Sequence, residues 1–553
     1  MKQFLTLIIF LSWNVSGQNF YLKIYSKSEF ELKIIDSVGF EKKHKNLKSI
    51  DNESDLTLNK LNKLGFIDSQ ISNKTKINDS IYQQEFDLGK KIHLLHIYTG
   101  EKSELRKLGI YDFQKDTLKI KYREIEIFLQ NCIKKLEQKG FALSKLRLTN
   151  IIRKNDLLQA ELFLSLDKER NLNEIVINGY DKFPEGFKKQ INKKHNRKVF
   201  NKDNLKNIYN DFNKMRFVKQ IKYPEILFTI DSTKVFVYVE KAKTSAFDGF
   251  IGFANDDNKN LIFNGYVDLA LNNALNIGEK LELYWKSDGK NQRTFNIGTE
   301  IPFVFKTLIS LKAQLNIFRQ DSIFQNTKTN IDFGYNLNFN SKIYLGYQET
   351  ESNDIGNLNT LNLSDSKNSF LTTAFEFIDL NNNDFLFPEK TNINFKIGSG
   401  QRYSKTQNDK QFFGQLTINH HFYLNKHNAI NLRSQNFYLA SNNFLTNELF
   451  RFGGINSIRG FNENSLQGNI FLGLMTEYQY VVSNSLYFHS VLDYGYFNDK
   501  ASSSTDKLLG VGFGFGLINK NGLLRFIYSN GSTSNQVIKT SNSIVQISLK
   551  TNF

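Results

Sequence analysis

The sequence predicts a tandem of α+β units followed by an all-β barrel that spans a membrane. Three observations carry this. Apolar spacing is mixed between helix and strand periods over residues 18–241, then alternates over 246–553. The mean hydropathy of −0.42 excludes a polytopic helical membrane protein. It leaves a membrane barrel open, because barrel strands alternate polar and apolar residues. The amino terminus also reads as an address for export.

Composition narrows the classes further. The chain has 553 residues, with 50 Phe and 24 Tyr, which is too aromatic for a disordered protein. Its single cysteine, Cys132, rules out an intramolecular disulfide and a cysteine-based zinc site. The net charge is +17, and +14 of it falls within residues 18–241. Such an excess suits nucleic acid, an anionic membrane surface, or a solvated Lys-rich surface.

The elements follow in order. Lys2 precedes the apolar run Phe4–Trp13, and Val15 and Gly17 give a cleavage site, so residues 1–17 are expected to be a signal peptide and Gln18 the mature start. Export removes nucleic acid from the expected partners. The first unit, 18–100, opens on the strand-like Gln18–Tyr25. Leu56–Leu64 is expected to be a helix ended by Gly65, with strands around 67–73, 81–87 and 91–99. The second unit, 105–170, has an amphipathic helix over Glu124–Lys139, stopped by Gly140, then strands over 142–150 and 156–166. The third, 172–241, is the clearest. It reads as a strand over Glu174–Tyr180 and helices over Glu185–Lys193 and Lys202–Met215. Strands over 217–221 and 234–240 close it. Leu205, Ile208, Tyr209 and Phe212 share one face of its second helix. Three units of this order in tandem make an internal repeat.

Residues 246–553 are expected to form the barrel. Val545, Ile547, Leu549 and Phe553 share one parity, as do Leu416, Ile418 and Phe422. Asn381–Asp384 and Ser529–Ser532 are turn signals. The length suits 14–16 strands of about 9–11 residues plus connections, and we take sixteen, antiparallel. Val511, Phe513, Phe515 and Leu517 alternate with Gly510, Gly512, Gly514 and Gly516. A face with no side chains implies either something packed against the wall from inside or a tight bend.

Within residues 448–463 the chain reads ELFRFGGINSIRGFNE. The pair Gly453-Gly454 followed by Ser457-Ile458-Arg459-Gly460-Phe461 resembles the signature of the BamA/TamA superfamily of outer-membrane assembly barrels. Gly473–Tyr478 and Val491–Gly495 are similar to the family's two following strands, with Glu477 and Asp493 at the acidic positions. The third unit resembles a polypeptide-transport-associated (POTRA) domain in the order and spacing of Ile177–Tyr180, the Phe200–Phe217 segment and Val235–Glu240. Room for about three such units is closer to the TamA-like branch than to a five-unit assembly factor.

The resemblance implies a long loop around 450–465 folded into the lumen, with Arg459 docked on Glu477 and Asp493. A guanidinium in a narrow lumen needs carboxylates, and its planar fork suits bidentate pairing. It implies an outer-membrane barrel of a Gram-negative bacterium with its POTRA units in the periplasm. It also implies a seam between the first and last strands, near 246–256 and 543–553, where client strands pair. The partners implied are unfolded outer-membrane or secreted clients, outer-membrane lipids, and periplasmic or inner-membrane accessory proteins. No cofactor, metal or catalytic residue is expected. Lys188, Lys189, Lys193, Lys194, Arg197 and Lys198 suit either lipid headgroups or a solvated helix end.

Three rival readings compete with this one. An enzyme lacks support, since no Gly-x-Ser-x-Gly elbow occurs. His420 and His421 are adjacent and face opposite sides of a strand, and His93 and His96 stand three apart, so a metal site is not expected. A passive porin or receptor explains the barrel but neither the upstream units nor the 453–461 motif. A dedicated secretion pore for one or a few exported proteins shares the loop and its Arg, and is the nearest alternative.

Overall fold

The computed structural model describes residues 19–553 except 101–103, 112–115, 155, 256–260, 289–291, 357–359, 361, 382–383, 385, 406, 521 and 540–542. The expected signal peptide, 1–17, lies outside the described residues. Two compact units result: one holds the first two α/β segments, the other the third segment together with the barrel.

In the first compact unit, β1 (Phe20–Tyr25), α1 (Glu29–Val38), β2 (Lys43–His44), α2 (Leu47–Lys63), β3 (Gln70–Lys76) and β4 (Ile81–Asp87) build a sheet of order β2-β1-β4-β3. Asn46 caps α2, its side chain accepting from Ser49 N–H at 2.9 Å. Leu22, Ile35, Ile50, Leu61 and Phe86 form the core between helices and sheet. The second segment comprises β5 (Leu94–Tyr98), α3 (Glu104–Lys107), β6 (Thr117–Lys121), α4 (Ile125–Gln138), β7 (Lys145–Lys154) and β8 (Leu157–Ser165), in order β6-β5-β8-β7. Its helix α4 ends as expected at Gly140, where Phe141 N–H bonds the Leu136 carbonyl at 3.0 Å.

One boundary is corrected. The strand at 91–99, expected to close the first unit, is β5 of the second sheet. Leu95 and Ile97 sit in the second core with Phe128, Cys132 and Leu136. The break therefore falls after Leu88, not near 100–105. The helix expected over 56–64 is longer, beginning at Leu47, and α1, β6 and the short α3 were not anticipated.

The third segment is β9 (Glu174–Asn178), α5 (Glu185–His195), α6 (Lys202–Asn213), β10 (Val218–Gln220), β11 (Glu225–Phe228) and β12 (Thr233–Lys241). The expected order holds, with β11 added at the sheet edge. Alternate residues Val235, Val237 and Val239 of β12 are buried, as are Ile208 and Phe212 of α6.

The barrel closes through sixteen antiparallel strands: β13 (Ala246–Asn255), β14 (Leu261–Asn272), β15 (Lys280–Asp288), β16 (Gln292–Ile301), β17 (Ile309–Gln320), β18 (Phe324–Asn336), β19 (Ser341–Asp354), β20 (Ser366–Leu380), β21 (Glu389–Ser404), β22 (Asp409–Tyr423), β23 (Asn428–Ala440), β26 (Ile470–Ser483), β27 (Leu486–Asp499), β28 (Ser504–Asn519), β29 (Gly522–Ser532) and β30 (Ile544–Asn552). A small hairpin, β24 (Phe450–Phe452) with β25 (Leu466–Gly468), interrupts the sequence order between β23 and β26. Alternation sets the two faces: Ile343, Leu345 and Tyr347 of β19 point outward and are exposed, while Tyr344 and Gln348 are buried inside. Charged pairs such as Lys312–Glu376 (2.5 Å) and Lys396–Asp332 (3.9 Å) line the inner wall. An apolar exterior and a paired polar interior are the arrangement a membrane barrel requires.

The third segment is fixed to one end of the barrel by the turns there. Phe187 of α5 meets Phe303 edge-on at 4.6 Å between centroids and covers Gly278. Gln190 donates to the Lys306 carbonyl at 2.8 Å, Asn273 donates to Tyr180 Oη at 2.5 Å, and Arg216 pairs with Glu389 at 2.7 Å.

Inside that segment Asp211 is buried between the helices. It accepts from His195 Nε2 at 2.7 Å and pairs with Lys194 at 2.8 Å and Lys214 at 3.3 Å. Burial works against its charge, yet His195, Lys194 and Lys214 prevail and hold the carboxyl below its usual range. A carboxyl with a folded pKa below its unfolded value, about 3.9, adds stability above that value. That stability is lost as pH falls through the folded pKa. Hydrogen exchange over 185–213 in the full chain should therefore show strong protection at neutral pH that weakens below about pH 4. Asp211→Asn should show weaker protection at neutral pH and a flatter acid limb. An unchanged acid limb in the variant would assign the effect elsewhere.

Candidate functional site: a loop docked inside the barrel

Residues 441–469 connect β23 to β26 and turn into the lumen, as the resemblance implied. The limb 450–468 is a hairpin whose apolar side forms a small core inside the barrel. Phe452 stacks on Phe471 at 4.0 Å, and Ile458, Met475, Phe497 and Leu508 complete the cluster, with Phe461 packed against it. The sequence folds this way because three glycines permit it. Gly453 and Gly454 have φ of 104° and 96°, so the chain doubles back on Asn462 and Glu463. Gly460 has φ of 88° and lies flat on the backbone of β29, where a side chain would run into Asn530 and Gly531.

That approach delivers Arg459 to the wall. It is 2% exposed, and its partner Asp493 of β27 is fully buried. Nε donates to Asp493 Oδ2 at 2.8 Å and Nη2 to Oδ1 at 2.5 Å, a forked pair; the Arg459 backbone N–H adds a third bond to Oδ2 at 2.9 Å. Nη1 reaches Glu477 of β26. Glu477 also accepts from Gln479 Nε2 at 2.9 Å and lies 3.8 Å from Arg525 of β29. The two carboxylates expected from the sequence are thus brought together on one guanidinium.

The glycine face of β28 explains itself here. A side chain at Gly510 would collide with the Arg459 carbonyl. Side chains at Gly514 and Gly516 would collide with His489 and Tyr487, which lie across them. Packing from inside by the loop is observed at Gly510, whereas Gly512 and Gly514 lie against the backbone of β29 at the Tyr528 and Phe526 carbonyls.

The loop has further anchors that the sequence did not disclose. Arg433 of β23 donates to the carbonyls of Ile455 and Ser457 at 3.2 and 3.3 Å. Glu463, at the tip, accepts from Tyr284 of β15 at 3.0 Å and pairs with Lys286. Arg402 of β21 is completely buried and holds Asp409 at 2.8 Å and Glu448 at 2.5 Å. Asp409 faces it across the β21–β22 hairpin, seven residues on, but Glu448 lies 46 residues away and meets it only when the loop folds back, so the sequence does not mark the two acids as partners of one Arg.

The terminal strand behaves as expected. Val545, Ile547, Leu549 and Phe553 are exposed on the outer face. The seam it forms is short: β30 meets β13 at Ala246↔Asn552 and Phe247↔Thr551, with one further bond from Phe553 N–H to the Ser245 carbonyl. Elsewhere β13 pairs with β14 along its whole length. The basic stretch divides. Lys188, Lys189, Lys193, Arg197 and Lys198 are exposed, but Lys194 is committed to Asp211 and covers the Phe339 ring at 5.5 Å. Lys194 is therefore removed from the headgroup candidates. His421 faces inward, stacked on Phe387, while His420 bonds Thr391.

No family model and no curated protein matches the chain. Solved structures do. CdiB from Escherichia coli aligns at a TM-score of 0.51 and 13% identity over 91% of this chain and 98% of that one. CdiB from Acinetobacter baumannii aligns at 0.50 and 15%, over 84% and 90%. BamA from Haemophilus ducreyi lacking POTRA domains 1–3 aligns at 0.48 and 13%, over 82% and 98%. At these identities the likeness is one of fold. In fold, this chain is similar to the CdiB structures: a closed barrel of sixteen antiparallel strands preceded by α/β units.

Proposed function

We propose that this protein is an outer-membrane factor for assembly or translocation of other proteins, with its α/β units in the periplasm. Extended client segments add to the free sheet edges of the units, and the barrel seam templates their insertion or passage. The observation that carries the reading is the seam itself. Among the described residues it is held by two residue pairs and one further bond, whereas neighbouring junctions such as β13–β14 and β29–β30 pair over seven residues or more. An unpaired backbone group in lipid costs several kcal/mol, so a client strand needs a partner on entry, and a short junction is where one becomes available. The edges β3, β7 and β11 offer backbone hydrogen bonds without demanding sequence; at β11 Ile226 and Leu227 are exposed beside them. Outer-membrane lipids surround the apolar outer face.

The test is to close the seam. Phe247→Cys with Thr551→Cys, in a Cys132→Ala background, places two thiols on directly paired antiparallel positions, about 4.5–5.5 Å apart at Cα and within disulfide reach. Oxidation should abolish assembly of client proteins in cells, and reduction should restore it. Full activity of the oxidised form would overturn the seam mechanism. The cavity of about 1780 Å³ beside the loop favours one second reading, a dedicated secretion pore. Outer-membrane proteomics after depletion separates the two. Loss of many unrelated barrels means general assembly, whereas loss of a few secreted or surface proteins with barrels intact means a dedicated pore.

A further inference from the structure

At the end of the barrel remote from the third α/β segment, described residues of three connections hold one another. Thr446 N–H bonds the Asn362 carbonyl at 2.7 Å, and Asn362 Nδ2 bonds the Ala501 carbonyl at 3.1 Å. Asn447 is buried and donates to Ser352 Oγ at 2.6 Å and the Ser364 carbonyl at 2.9 Å, while its own carbonyl accepts from Asn326 at 2.6 Å. The connections after β19 and β27 and the outer limb of the lumenal loop are thereby joined across the mouth. A buried charge reinforces the tie between this clasp and the wall. Arg402 grips Glu448, which also accepts from Gln411 at 2.8 Å, Asn368 at 3.1 Å and the Leu445 N–H at 2.9 Å. Its other arm holds Asp409 at 2.8 Å, and Nη1 also reaches the Asn443 carbonyl at 3.1 Å. Both carboxylate side chains are buried, so neither is released without another partner.

We propose that Arg402 is the positioning residue of an outer gate. It pins the 441–449 limb through Glu448 and so keeps the outer mouth of the lumen shut, independently of the Arg459 anchor deeper inside. The inference rests on the membrane-barrel reading above. Its consequence is that a client passing through the lumen must first displace this clasp, whereas one entering membrane at the seam need not.

Single-channel recording of the purified full chain in a lipid bilayer, without any client, tests it. The native protein should stay closed most of the time. Arg402→Ala should raise open probability about tenfold or more, as expected for loss of a charge-assisted buried bond, while the folded barrel still resists heat on gels. Glu448→Gln, which leaves the Arg402–Asp409 pair, should raise it less. Bridging Ser352→Cys and Asn447→Cys with a short thiol cross-linker, in the Cys132→Ala background, should return the Arg402→Ala protein to the closed state. Native open probability in Arg402→Ala, or no closure on cross-linking, would overturn the gate. If Arg402→Ala does not fold, Glu448→Gln and cross-linking of the otherwise native gate decide the matter by the same readout. Because no client is present, failure here leaves the seam reading standing, and failure of the seam disulfide test leaves this one standing.

Discussion

Arg459→Ala is expected to lower both client assembly and the temperature at which the folded barrel converts to its unfolded form on gels. The side chain makes a forked pair with Asp493 and a further bond to Glu477, all inside the barrel. Removing it leaves two carboxylates with no cation of equal geometry, since Arg525 approaches Glu477 only to 3.8 Å. Breaking a fully buried pair costs about 3–5 kcal/mol, and water in the lumen reduces that figure. Asp493→Ala should have a similar effect, because it strands the guanidinium and the Arg459 backbone N–H together. Arg459→Lys should rescue poorly, as an ammonium cannot span both carboxylates with a planar fork. Full activity with unchanged heat resistance in both alanine variants would mean that this pair does not hold the loop.

Substituting Gly460 should be as damaging without touching a charge. Gly460→Val forces a β-branched residue to a φ of 88°, costing about 1–3 kcal/mol. It also drives a side chain into the β29 backbone, where overpacking costs about 1–3 kcal/mol more. Gly510→Val attacks the same contact from the wall, by colliding with the Arg459 carbonyl. Gly414→Ala is the control, because its new methyl group would meet only Ile397, at 4.0 Å. The first two should lose heat resistance and leave the loop open to protease, whereas the third should match the native protein. Protease resistance of the loop in Gly460→Val would show that the close approach to β29 is dispensable.

The sequence discloses these parts unequally, and the reasons are physical. Alternation along Val545–Leu549 assigns the outer face because one face must be apolar in lipid. The motif at 453–461 is legible because its glycines meet backbone and its arginine needs carboxylates, both local requirements. Arg402, Arg433 and Glu463 are not legible for separate reasons: Arg402 gains Glu448 only when the loop folds back, Arg433 binds loop carbonyls that no residue pattern marks, and Glu463 meets strand β15, 179 residues away at Tyr284. The strand Leu94–Tyr98 reads equally well as the end of one unit or the start of the next; only pairing with β6 and β8 decides it. Lys194 hides among solvated lysines because the carboxylate it serves lies 17 residues on, across a helix turn.

The loop has one more consequence, for how wide an aperture the wall can offer. Gly460 rests on β29, on one side of the closure, and Glu463 is tied to β15, on the other. The three Cα–Cα steps from Gly460 to Glu463 extend at most about 10 Å. They form a leash across the gap from within. Each strand admitted between β30 and β13 adds about 4.8 Å to the wall. Early entry can be absorbed by slack in the leash, but continued growth must detach Glu463 from Tyr284 and Lys286. If clients enter at the seam as proposed, the bonds of Glu463 to Tyr284 and Lys286 are the ones that such growth must break first.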